Sequence, residues 1–289
     1  MTPSAGKATT PPTNSTKVGS AMAGAEARVS HRLMYPAPWV IDDPFVLALM
    51  GSENWRRLAA ESSMLVREPL LRRARAGVCL RFRYTEDRLA AGRYAQYVIL
   101  GAGLDTFAWR HRESIPPLRV FEVDHPEAQD WKRQRVATLG LPTIDGHRFV
   151  AVDLTTGVLR DSLVAAGLDW SQPTLFQCVG VMMYLSREVV EAILRSIATC
   201  RTGSEIVLSY NPDPSLLDDD GREFLDIVSR RVKAMGEPLK SSFGDIEHFV
   251  RDCGLEVGEH LTAGKMRQRY GFIPLTVERL IAARVPRAA

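Results

Sequence analysis

The chain has 289 residues, with 37 Lys and Arg against 34 Asp and Glu and a net charge of +3. That length suits one large domain or two small ones, and the near balance of charge, without a dense basic block, leaves no footprint for a nucleic acid. No apolar run approaches the roughly 20 residues that span a bilayer, the start of the chain has no signal-peptide pattern, and scattered cysteines and histidines give no metal-ligand spacing, so a cytoplasmic protein with reduced thiols, no membrane partner and no metal is expected.

Residues 1–25 are rich in Ser, Thr, Pro, Gly and Ala and read as a disordered tail, because they have almost nothing apolar to bury. Residues 26–95 read as a helical cap. Pro44 begins a short apolar segment closed by Gly51, and Trp55, Leu58, Leu70 and Leu71 then recur at helical spacing. Beyond Gly77, Leu80, Tyr84 and Leu89 continue the trend.

The rhythm then changes to strand and helix in alternation. Strands are predicted over 97–100, 120–123, 149–152, 174–181 and 206–208. Pro126 opens a helix with Ala128, Trp131, Val136 and Leu139 on one side. Ser186 caps another, with Val190, Ile193, Leu194 and Ile197 as its apolar stripe. Residues 212–240 read as a lid-like insertion, and 241–289 as a closing helix and two strands. Residues 26–289 thus form a single predicted domain with a cofactor-binding core over 96–211. The class is α/β, a doubly wound and mostly parallel sheet.

The first predicted strand ends in Gly101-Ala102-Gly103-Leu104-Asp105-Thr106, and the second ends at Asp124. Glycines let the backbone pass close to a ligand, and an acid at the second strand end can accept hydrogen bonds from a ribose diol. Asp153 and Tyr210 fall at later strand ends, which predicts one cleft edge shared by all four positions. A dehydrogenase fingerprint wants a third glycine where this chain has Thr106. Asp105 before it would compete with a pyrophosphate for the helix amides. The turn therefore suits S-adenosylmethionine, whose ammonium or sulfonium a carboxylate such as Asp105 would favour. Simpler roles stand beside these: glycines ending a buried strand, Asp124 and Asp153 as helix caps, His125 capping the Pro126 helix, and Asp218-Asp219-Asp220 as a solvated turn.

The glycine motif, together with Phe121-Glu122-Val123-Asp124-His125-Pro126 and Val152-Asp153-Leu154, resembles the leucine carboxyl methyltransferase family. The resemblance runs from about Asp42-Asp43-Pro44 to the end of the chain. It implies a Rossmann-like methyltransferase sheet and an S-adenosylmethionine-dependent O-methyltransferase of secondary metabolism, with a small-molecule carboxylate or hydroxyl as acceptor. It also implies that Gly101, with Gly103 beside it, lines the methionine portion. Asp124 takes the ribose, and Asp153 with Leu154 reads the adenine. An arginine before the first strand would hold the cofactor carboxylate; Arg81 and Arg83 both stand there, with Arg83 preferred. Some members carry a glutamate five residues before the tyrosine of a Met-Tyr-Leu segment, where this chain has Val179. Tyr210 is the candidate to face the acceptor. A protein C-terminal carboxyl methyltransferase, an NAD-dependent oxidoreductase and a non-catalytic scaffold of the same fold remain as alternatives.

Overall fold

The computed structural model describes residues 19–65, 68–115 and 117–287. Four helices come first: α1 (Gly19–Met34), α2 (Val46–Met50), α3 (Ser52–Leu65) and α4 (Glu68–Ala91). Alternation follows with β1 (Gln96–Leu100), α5 (Phe107–Arg110), β2 (Arg119–Asp124), α6 (Pro126–Thr138) and β3 (His147–Ala151). It continues with α7 (Leu159–Ala165), β4 (Thr174–Cys178), α8 (Arg187–Ala198) and β5 (Glu205–Ser209). The chain closes with α9 (Asp219–Ala234), α10 (Ile246–Asp252), β6 (Glu256–Leu261), α11 (Ala263–Tyr270) and β7 (Leu280–Arg284).

The seven strands lie in the order β3-β2-β1-β4-β5-β7-β6. The first five are parallel, β7 runs antiparallel to β5, and β6 runs antiparallel to β7. Every residue of β1, β4 and β5 is buried, as expected of strands covered on both faces. Side chains alternate between two apolar layers. Tyr97 and Ile99 of β1 pack with Val29, Leu49 and Trp109, while Val98 and Leu100 pack with Leu163, Ile193 and Val250. Strand order reverses between β1 and β4, which opens a crevice beyond their carboxyl ends.

Local chemistry explains the helix starts. Pro126 sits at the first position of α6, and His125 Nδ1 accepts the Glu127 amide proton. Ser186 Oγ accepts from Val189 N at the start of α8. Asp218 does more than turn the chain: its Oδ1 accepts from Gly221 N at 2.8 Å and caps α9. The buried side of α6 departs from the expected apolar stripe. Lys132 lies there and pairs with the fully buried Glu122 of β2, which also meets His147 Nε2 at 3.0 Å. Burial would raise the Glu122 pKa, but Lys132 and His147 outweigh it and hold the carboxyl low.

The disordered tail expected over 1–25 does not extend to residue 25. Residues 19–25 are the first turns of α1, where Met22 and Ala25 are buried; residues 1–18 lie outside the described residues. Among the described residues, no helix is long and apolar enough to cross a membrane, and no group of three His, Cys, Asp or Glu is placed to hold a metal.

Candidate functional site

A cavity of about 360 Å³ opens at the crevice beyond β1, within the usual range for ligand sites. After Leu100 the chain turns through Gly101 (φ 66°) and Gly103 (φ 49°), backbone angles that a side chain would strain. A Cβ on Gly101 would lie 2.3 Å from Val181 Cγ2. The turn is anchored by Asp124, whose Oδ2 accepts from Gly103 N at 2.5 Å and whose Oδ1 accepts from His125 N at 2.7 Å. Burial raises the Asp124 pKa, and the two amides oppose it. Each carboxylate oxygen keeps a further acceptor position.

Asp153 and Leu154 follow β3 and line the same cavity. Asp153 Oδ1 caps its own turn, accepting from Thr155 N at 2.9 Å and Thr155 Oγ1 at 2.8 Å. Gly101, Gly103, Asp124, Asp153, Leu154 and Arg81 are therefore brought together.

Three expected residues are not. Asp105 is buried beneath the turn, 1 % exposed, with Oδ1 accepting from Phe107 N at 2.6 Å. It cannot favour a cation in the cavity. It does occupy the amide that a pyrophosphate would claim at the start of α5. Arg83 points outward and pairs with Asp87 at 2.7 Å across one helical turn. Two residues on a helix lie about 200° apart, so Arg81 and Arg83 cannot share a face. Arg81 is the one at the cavity, and Glu278 grips its Nε and Nη2 at 2.8 Å each. Burial lowers the Arg81 pKa, but Glu278 outweighs it and the net shift is upward. Tyr210 is buried on the other face of the sheet, against Phe243. Its hydroxyl meets His260 Nε2 at 2.9 Å, and His260 Nδ1 meets Glu247 at 3.0 Å.

Sequence reasoning missed the first turns of α1, residues 19–25, which it assigned to the tail. Ala21 packs on Gly103, and Ser20 N donates to Glu237 Oε2 at 3.2 Å, so this helix bridges the glycine turn and the end of α9. Arg28 of α1, 2 % exposed, donates from Nη1 to Asp43 and from Nη2 to the Leu104 carbonyl, both at 2.7 Å. A lone arginine in a segment of small residues carries no local signal. Helices α4 and α9 also line the cavity, with Arg75 and Arg231 beside an apolar set: Leu71 and Val78 of α4 and Phe224, Val228 and Val232 of α9. The spacing of those α9 residues was readable as an amphipathic helix.

Comparison with known proteins bears on this arrangement. Residues 21–198 match the family model for leucine carboxyl methyltransferase. A Bacillus subtilis protein named "Putative S-adenosyl-L-methionine-dependent methyltransferase YktD" is 37% identical over 193 residues, which cover 65% of this chain and 62% of that protein's length. A protein of the same description from Mycolicibacterium smegmatis is 32% identical over 228 residues, 75% of this chain and 74% of its own length. Among solved structures, a DUF574 family protein from Streptomyces avermitilis superposes with a TM-score of 0.59 at 15% identity, covering 90% of this chain and 97% of its own. At that identity the likeness concerns the fold alone.

Proposed function

The chain belongs to the leucine carboxyl methyltransferase family, and from that premise we propose that it methylates an oxygen of a small, largely apolar acceptor. It is an S-adenosylmethionine-dependent methyltransferase, as its curated relatives are described. The observation that carries the finer reading is the two-sided cavity: the glycine turn and Asp124 on one side, the apolar α4 and α9 faces on the other.

The residues present fit the cofactor. Asp124 is a half-buried carboxylate whose bonds to the Gly103 and His125 amides leave acceptor capacity for ribose hydroxyls. Asp153 and Leu154 would flank the adenine, and Arg81 would hold the carboxylate. When bound, S-adenosylmethionine supplies an activated sulfonium methyl. The apolar α4 and α9 walls exclude water and orient the acceptor for in-line attack, which is the main contribution the protein has to make. Tyr184 lines the cavity with its pKa pushed up to about 12 by burial, reinforced by Glu237 and opposed by Arg81. It can donate a hydrogen bond at neutral pH but does not take a proton. A carboxylate acceptor, already ionised, needs no base and suits this site; a hydroxyl acceptor would need one. The segment carrying α9 acts in this reading as a lid over the acceptor.

Two outcomes test the assignment. Labelled S-adenosylmethionine offered with a panel of apolar acids and phenols should yield methyl esters or ethers; transfer confined to nitrogen, carbon or sulfur would sink the oxygen reading. In calorimetry with S-adenosylhomocysteine, Arg81→Ala should weaken binding about tenfold or more, the worth of one charged hydrogen bond. Arg83→Ala should leave the affinity within about twofold, since an exposed i,i+4 pair contributes little.

A further inference from the structure

The Arg81–Glu278 pair is assembled against two local penalties. Gly77 lies inside α4, where glycine weakens a helix relative to alanine. A Cβ there would stand 2.3 Å from Glu278 Cγ, so the missing side chain makes room for this glutamate. A buried ion pair also adds little stability over an apolar replacement, yet Glu278 is only 1 % exposed.

The cavity supplies a reason. Arg81 commits Nε and Nη2 to the two Glu278 oxygens, while Nη1 lies 3.3 Å from where a Gly180 Cβ would be, on the side of the glycine turn. A cationic donor and a carboxylate therefore stand side by side at the cavity wall. An α-amino acid is their complement, with its ammonium and carboxylate on one carbon. Each Glu278 oxygen retains an acceptor position after bonding to Arg81. The other cavity acids are engaged elsewhere: Glu26 with Ser30 and Arg75, Glu237 with Ser20, Asp124 with Gly103 and His125, and Asp153 with Thr155. Val179, at the position where some relatives by resemblance carry a glutamate, lines the cavity without charge.

We propose that Glu278 binds the ammonium of the methionyl tail while Arg81 binds its carboxylate, the pair forming a receptor for the zwitterion. This rests on the S-adenosylmethionine reading above. Calorimetry with three probes tests it: S-adenosylhomocysteine, its analogue with the α-ammonium replaced by hydrogen, and 5′-methylthioadenosine, which lacks the amino acid. The wild-type protein should prefer S-adenosylhomocysteine over the deaminated analogue by about tenfold or more. Glu278→Gln should abolish that preference and leave 5′-methylthioadenosine affinity unchanged. Gly77→Ala, which displaces Glu278 while keeping its charge, should give the same selective loss. No preference in the wild type overturns the proposal without any variant. So does a folded variant that retains the preference, or one that loses both amino-acid ligands equally, which would make Glu278 a positioning residue for Arg81. If the wild-type protein binds none of the three, the cofactor reading itself fails.

Discussion

Arg28→Ala is expected to destabilise the protein by about 3–5 kcal/mol, the range for leaving a buried charge without its partner. Arg28 and Asp43 are each 2 % exposed, and their contact is 2.7 Å. Asp43 also accepts from Phe45 N, Val46 N and Thr106 Oγ1, so it fixes the start of α2 and the start of α5. With Arg28 removed, the Asp43 charge is stranded and the Leu104 carbonyl loses its donor. Urea unfolding should show the fall in midpoint. Adding Asp43→Asn to that variant should recover much of it, because the uncompensated charge is then gone while an amide oxygen still accepts from Phe45 N and Val46 N. A loss below about 1 kcal/mol for the single variant would mean that other groups neutralise Asp43.

Asp124→Ala is expected to raise the dissociation constant of S-adenosylhomocysteine about a hundredfold. Two charge-assisted hydrogen bonds to a ribose diol would be lost, at roughly 1.5–3 kcal/mol each before the turn relaxes. The variant also removes the acceptor for Gly103 N and His125 N, so the glycine turn loses its anchor. Acid offers a second readout. Burial raises the Asp124 pKa, so its charge is lost at a higher pH than that of an exposed aspartate. Wild-type affinity should therefore begin to fall at a correspondingly higher pH, and the variant should lack that component. An affinity within about threefold of wild type would overturn the ribose assignment.

Both variants touch features that differ in how far the sequence exposes them. Asp124 was legible because a strand period and a glycine turn put it at a strand end. Arg28 was not, because its partner lies in a different segment, across α1 and the loop before α2. The parallel sheet followed from buried apolar runs, whereas the antiparallel placement of β7 between β5 and β6 depends on long-range pairing. Tyr210 shows the limit within one strand. Leu208 and Tyr210 share a face by the two-residue period, and that face packs on Phe243 and Phe249. Its neighbour Asn211 lines the cavity instead. Asp105 shows the same limit in a turn: its amide donates back to the Ala102 carbonyl at 2.8 Å, and the side chain folds beneath the backbone. The choice between Arg81 and Arg83 was open to helix geometry, since Gly77, Arg81 and Tyr84 mark one side of α4.

The first turns of α1 carry a practical lesson for anyone shortening this chain. Composition suggests cutting near residue 25, yet that cut discards Ser20, whose amide holds Glu237, and Ala21, which roofs Gly103. A protein trimmed there would keep every strand of its sheet and could pass as intact by circular dichroism. It would nonetheless present the glycine turn to bulk water, and a weak ligand titration on such material would be a result about the cut rather than about the enzyme.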